Sequence, residues 1–290
     1  MNLDGLYTHT QVTFDPILAA DELVLNGQTQ TGAALQRVSE FMDHVRLMAG
    51  LQLYARVVSQ NNFPTGTGIA SSASAFAALS LAASRAAGLE LDEPRLSRLA
   101  RTGSGSACRS VPGGFVEWQS GTSDEDSFAF SIAPPEHWDL VDCVAIVSQV
   151  HKPTGSSQGH TLANTSPLQK ARVDDAPRRM NLCRRAILER DFDALLDVVE
   201  LDSNLMHAVM QTSTPPLLYW LPATIEIMHA IPLWRQSGIS ACYTIDAGPN
   251  VHVITIQDQA QDVTDRLSQI PGVLKVLTAR PGPAARLLDE

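Results

Sequence analysis

The sequence predicts an α+β fold in two domains, 1–136 and 137–290. Its 290 residues amount to roughly two domains at about 150 residues each. Strand-like alternation and helix-like periodicity are mixed, without the strict strand–helix–strand repeat of a parallel sheet. Ala133-Pro134-Pro135 breaks the chain near its middle, just ahead of a continuous apolar run. Hydrophobic residues at 44% against 18% charged supply a packed core and exclude a disordered or fibrous chain.

Each element has its own signal. Residues 6–14 alternate with the two-residue period of a half-buried strand. Residues 23–25 are followed by Asn26-Gly27, a hairpin-turn dipeptide. Leu35, Val38, Phe41, Met42, Val45 and Met48 recur on one face of a helix that ends near Gly50. Residues 51–58 alternate again as a strand. A loop rich in glycine and hydroxyls, 61–72, runs into a helix of small residues over 72–87. Residues 93–101 read as the next helix and 113–119 as a short strand. In the second domain 140–150 is a buried strand, and helices are expected at 181–189, 192–210 and 223–235. Strands at 241–245, 251–256 and 273–278 complete it. There is no internal repeat and no low-complexity segment.

Charge narrows the partners. Thirty-one acidic side chains against 21 basic ones give a formal charge of −10, without the broad positive field that nucleic-acid binding requires. A small anion is not excluded, because a local arginine pocket can invert the field. Lys152, Lys170 and Lys275 are the only lysines, so an anion clamp here uses the planar guanidinium fork. Cys108, Cys143, Cys183 and Cys242 lie far apart with no CxxC and no zinc spacing, the pattern of reduced, mostly buried thiols. With no leader and no apolar run near 18 residues, a soluble cytoplasmic protein without membrane contact is expected.

Three segments carry candidate chemistry. Thr65-Gly66-Thr67-Gly68-Ile69-Ala70-Ser71-Ser72 opens a helix. Its glycines let backbone approach phosphate oxygens, and the helix start offers unpaired N–H groups. It is not a Walker A loop, and as a bare pattern it more often marks tight packing. Gly103-Ser104-Gly105-Ser106-Ala107-Cys108-Arg109-Ser110 crowds three serines and an arginine between glycines. It reads evenly as a loop around an anion, with Arg109 bidentate, or as a polar surface turn. Asp246-Ala247-Gly248-Pro249-Asn250 sits between two apolar strand runs; a carboxylate there suits a general base or a residue orienting a hydroxyl, while turn initiation is the commoner role locally. Asn204 and His207, three apart on one helix face, are expected to cap or bond between helices rather than catalyse. The eight histidines show no ligand spacing, so no protein-held zinc is expected.

Together these segments resemble the GHMP small-molecule kinases, and within them the mevalonate diphosphate decarboxylases. Asn-Asn-Phe-Pro-Thr, Ala-Ser-Ser-Ala, Gly-Ser-Gly-Ser-Ala-Cys-Arg-Ser, Gly-Gly-Phe-Val-Glu-Trp and Asp-Ala-Gly-Pro-Asn occur in the family's order and approximate spacing. Weaker echoes lie at Gly155-Ser156-Ser157, Thr165-Ser166-Pro167 and Asp202-Ser203-Asn204. The resemblance covers essentially the whole chain. It implies an N-terminal domain like ribosomal protein S5 domain 2, a ferredoxin-like C-terminal domain and a site in the cleft between them. It implies ATP- and Mg²⁺-dependent decarboxylation of a phosphorylated mevalonate, with Mg²⁺ carried by ATP and reached by Ser71 or Ser72. By the same resemblance Asp246 orients or deprotonates the C3 hydroxyl and Arg109 holds the substrate carboxylate. Arg37, Ser104, Gly105, Ser106, Ala107, Cys108 and Thr165 contact substrate, Arg37 at its phosphate. Thr65, Gly66, Gly68, Ser71 and Ser72 cradle the ATP phosphates. Homologues are often homodimers, which the resemblance extends to this chain.

Two departures stand out. The family opens with a strand and a loop bearing Lys-Tyr-Trp-Gly, whereas Met1-Asn2-Leu3 aligns where the following Ser-rich strand ends. That is a deficit of roughly 30 residues, or ~100 Å of extended chain, and it implies an unpaired sheet edge and weak or no activity for the chain as written. Second, diphosphate-using relatives carry an arginine near the Ser-Ser-x-Gly-Met stretch. Here Ser156-Ser157-Gln158-Gly159-His160 has none, which leans the substrate toward mevalonate 5-phosphate, although Lys152 or Arg172 would compensate. The rival readings are a kinase that stops at the 3-phosphate and a non-catalytic truncated paralogue.

Overall fold

The computed structural model describes residues 1–64, 69, 71–150 and 156–288, and it divides into two compact units. The first takes in 1–63, 71–135 and 282–288; the second takes in 64, 69 and the described residues of 136–281. The C-terminal residues join the first unit because backbone bonds hold them there. Gly114 N–H donates to Gly282 O at 2.8 Å, and Ala285 N–H to Val111 O at 2.9 Å. Gly113 must be glycine, since a Cβ would stand 2.5 Å from the Ala284 nitrogen.

The first unit contains β1 (Leu3–Asp4), β2 (Thr8–Asp15), β3 (Glu22–Leu25), β4 (Gln28–Gln30), α1 (Ala33–Ala49), β5 (Tyr54–Asn61), α2 (Ser71–Ala86), α3 (Glu93–Gly103), β6 (Phe115–Gln119) and β7 (Phe128–Ala133). One sheet runs in the order β2-β5-β3-β4, with β3 parallel to β5 and the other pairs antiparallel. Leu23, Ala55 and Val57 from this sheet pack with Phe41, Met42 and Val45 of α1 and with Phe76 and Leu79 of α2. The apolar residues of α1 recur three and four apart, and the helix stops at Gly50 in the left-handed conformation (φ 65°). Buried Asp21 takes both arms of Arg46 at 2.9 and 3.0 Å and also accepts Ala55 N–H at 2.8 Å, which locks α1 to the sheet. α3 starts at Asp92, whose side chain accepts Arg95 N–H.

The second unit contains β8 (Leu140–Ile146), α4 (Ser156–Ala163), α5 (Gln169–Glu189), α6 (Phe192–Gln211), α7 (Pro222–Gln236), β9 (Ala241–Thr244), β10 (Val251–Ile256), α8 (Ala260–Gln269) and β11 (Lys275–Pro281). Its strands run β11-β8-β10-β9, antiparallel throughout. Every residue of β8 is buried, the mark of a strand covered on both faces. Val141, Cys143 and Ala145 pack with Ile227 and Ile231 of α7 and with Val263 and Leu267 of α8. α6 lies against β9, where Asn204 Nδ2 donates to Tyr243 Oη at 3.0 Å.

The α+β class and most elements fall where the sequence places them. Three differences have physical causes. α5 begins at Gln169, not near 181, because pairs such as Lys170–Asp174 and Arg179–Asp175, four apart, support a first half in which Pro177 reads as a breaker. α8 was not expected, since its apolar face is only Ala260, Val263 and Leu267. β7 was not expected either; it gains strand character by pairing with β6. All four cysteines are free thiols, three of them buried.

Candidate active site

In the first unit the serine-rich segment leaves α3 and coils into a 3-10 turn, Gly105–Ser110. Fully buried Ser97 fastens it: its hydroxyl donates to Cys108 O at 3.1 Å and accepts Ala129 N–H at 2.9 Å. Ala107 and Cys108 are fully buried, so their side chains serve the packing of this turn. Burial pushes the Cys108 thiol up. Gly105 and Arg109 are exposed, and Ser104 and Ser106 are half-buried. Arg109 lies over the Trp118 ring, 5.8 Å from its centroid, and Trp118 Nε1 is held by Ser127 Oγ at 3.2 Å. The arginine therefore has a flat wall behind it and leaves its fork to solvent.

Arg37 reaches the same segment from α1. Its Nε and Nη2 donate to Gly103 O at 3.2 and 2.7 Å, and its guanidinium lies 4.8 Å from the Phe76 ring centroid. Desolvation against that ring draws its pKa down. Beside it is a cavity of 170 Å³ lined mostly by apolar groups, among them Leu23, Val57, Phe76 and Leu79. The hydroxyls in its wall, Thr10 and Ser59, bond each other at 2.9 Å, and Arg37 itself is the charged group in its lining. Ser72 Oγ lies 3.3 Å from Ser104 Oγ, which brings the start of α2 to the serine segment. Ser71 heads α2, whose first turn carries no acidic side chain to oppose an anion. Thr65, Gly66 and Gly68 lie outside the described residues.

In the second unit Asp246 is exposed, directly after buried Ile245 at the end of β9. Its loop is fastened on both sides. Gly248 N–H donates to Asp246 O at 2.7 Å. Thr224 Oγ1 donates to Pro249 O at 2.6 Å. Asn250, fully buried, accepts Val147 and Ser148 N–H at 2.8 and 3.1 Å and returns Nδ2 to Ser148 O at 3.2 Å. Upstream, Ile245 N–H donates to Ser203 Oγ and Ile245 O is 3.0 Å from His207 Nε2. Asn204 and His207 thus bond strand β9 and its exit, not a helix end or another helix as expected. Thr165 spends its hydroxyl locally, donating to Leu162 O at 2.6 Å and accepting Thr214 N–H at 2.7 Å.

Sequence reasoning missed Trp118 and Ser203 as supports of the two charged groups. Both sit in segments that had been singled out, yet no spacing brings residue 118 to 109 or 203 to 245. Among the described residues no group of three or more His, Cys, Asp or Glu side chains could hold a metal ion, and no helix is long and apolar enough to cross a membrane.

Two family profiles match: the diphosphomevalonate decarboxylase-like N-terminal domain over residues 1–129 and the mevalonate 5-diphosphate decarboxylase C-terminal domain over 143–279. The diphosphomevalonate decarboxylase of Candida albicans is 37% identical over 277 residues, covering 90% of this chain and 76% of that protein. The mevalonate diphosphate decarboxylase of Staphylococcus aureus superposes with a TM-score of 0.93 at 36% identity, over 99% of this chain and 88% of that one. A further structure, MDDEF in complex with MVAPP, AMPPCP and magnesium, gives the same TM-score of 0.93 and 36% identity, over 99% and 89%.

Proposed function

The chain belongs to the diphosphomevalonate decarboxylase family of carboxy-lyases, and from that premise we propose that it decarboxylates a 5-phosphorylated mevalonate at the expense of ATP. The observation that carries this reading is two exposed charged groups, each held against a bonded support: Arg109 on the half-buried Trp118 wall and Asp246 on its fastened loop.

MgATP is the co-substrate. The first turn of α2 fits its phosphates, with the hydroxyls of Ser71 and Ser72 at the positive end of the helix and no carboxylate in that turn. Asp246 orients the C3 hydroxyl and takes up its proton as the oxygen attacks the γ-phosphorus and ADP departs. The C3–O bond to phosphate then breaks. The carboxylate's C–C bond supplies the electron pair for the new double bond, and CO₂ is released. Arg109 holds the carboxylate until that bond breaks, and Ser104 and Ser106 line the pocket around it. Arg37 contacts the 5-phosphate with the N–H groups that Gly103 O leaves free. Positive charge develops at a tertiary carbon, so exclusion of water and neutralisation of the leaving phosphate set the rate.

The finer assignment is mevalonate 5-phosphate, giving isopentenyl phosphate, because 156–163 holds no arginine for a second phosphoryl group. The names of the relatives support the diphosphate instead. One experiment decides: MgATP with each substrate, following ADP and CO₂ together. Equimolar ADP and CO₂, faster with the monophosphate, is the expected result. Faster turnover of the diphosphate removes the finer assignment, ADP without CO₂ makes the protein a kinase, and neither product makes it a non-catalytic relative.

A further inference from the structure

Ile245 is 1% exposed and lies past the last paired residue of β9, Thr244. A residue buried there has no ladder partner, and its N–H and C=O must still be satisfied. Both are taken by side chains of a single helix. Ser203 Oγ accepts the N–H at 3.0 Å, and His207 Nε2 bonds the carbonyl at 3.0 Å. Ser203 and His207 are four residues apart on α6, hence on one face, and are 4% and 1% exposed.

The carbonyl of Ile245 and the N–H of Asp246 belong to one planar peptide. Whatever fixes that carbonyl fixes the plane from which the Asp246 side chain departs. The His207 ring is itself walled by Trp220, 5.0 Å between centroids, and by Tyr219 at 6.1 Å. Its burial lowers its pKa, so the ring is neutral near pH 7 and must carry its proton on Nε2 to donate to the carbonyl.

We propose that Ser203 and His207 are positioning residues that aim the Asp246 carboxylate from α6, His207 by holding the Ile245–Asp246 peptide and Ser203 by holding the peptide before it. This rests on the reading of Asp246 given above. It assigns the pair a kinetic role, whereas a packing role would register only in stability.

The test uses the full chain, MgATP and the better phosphorylated mevalonate. His207→Leu is expected to lower kcat by about 10- to 100-fold, the scale of a small misplacement of a reacting group, with both KM values within about twofold. His207→Gln, whose amide nitrogen reaches the same carbonyl, is expected to return kcat to within about threefold of the parent. Ser203→Ala removes only a small acceptor and is expected to cost about fivefold in kcat; it carries the test if His207→Leu does not fold. Parent-like kcat in both Ser203→Ala and His207→Leu overturns the proposal. So does His207→Gln as slow as His207→Leu, since packing would then explain the loss. Asp246→Asn, run alongside, separates the two readings. Full activity there removes the role of Asp246 and the proposal with it, whereas loss there beside unaffected Ser203 and His207 variants removes the positioning role alone.

Discussion

At the scale of single residues the groups proposed for the site are charged tips with uncharged backing. Arg109 presents its fork because Trp118 occupies one face of the guanidinium. An exposed cation–π contact is worth about 0.5–1 kcal/mol, so Trp118→Ala is expected to raise KM for the phosphorylated mevalonate about two- to fivefold, leave KM for MgATP alone, and be partly rescued by Trp118→Phe. Steady-state kinetics in both substrates checks this, and an equal rise in the two KM values would sink it. Arg109 is singled out by the family resemblance, since its segment read alone serves equally as an anion loop or a polar surface turn. Trp118 is not legible as its support, since its relation to Arg109 depends on how β6 returns past the turn. Ala107 and Cys108 show the converse: their motif is legible, but their full burial follows from packing that no motif encodes.

At the scale of elements, the join between α3 and the serine turn is the tightest place in the site. A Cβ on Gly103 would stand 2.0 Å from the Phe76 ring, and that ring is buried in the core against Phe41, 5.4 Å between centroids. Gly103→Ala is therefore expected to lower unfolding free energy by about 1–3 kcal/mol, the usual cost of overpacking. It should also weaken the Arg37 grip on Gly103 O, raising KM for the phosphorylated substrate. Denaturant unfolding and kinetics on one preparation check both; unchanged stability refutes the clash. Elements set by local chemistry were legible. The Asn26-Gly27 turn has φ of 49° and 78°, the two positive values that a tight hairpin needs, and the periodicity of α1 gave its buried face from Leu35 to Val45, while Met48 at its last turn is exposed. Elements set by long-range pairing were not. The first half of α5 is written in charges and a proline, and β7 exists because β6 pairs with it.

At the scale of the whole molecule, stability against pH reports on the same buried histidine that aims the loop. Desolvation lowers the pKa of His207 below 6.5, opposed by the Ile245 carbonyl and the Asp246 charge. The folded protein therefore binds that proton less readily than the unfolded chain, in which the imidazole titrates near its ordinary value. The associated stability is present in full above about pH 6.5 and is lost as pH falls through the lower folded pKa. The carboxylates of Asp124 and Asp175 also have lowered values, set by Arg98 and Arg101 for the first and by Arg178 and Arg179 for the second. Their ordinary value is 3.8, so their loss begins at lower pH and the two windows separate. Thermal melts of the full chain should fall as pH drops below about 6.5, and that fall should flatten in His207→Gln, which keeps a donor to Ile245 O but takes up no proton. Persistence of the slope in the glutamine variant would assign it to other groups. A flat parent profile with the kinetic effects of His207→Leu intact would show that the histidine aims Asp246 without making the fold acid-sensitive.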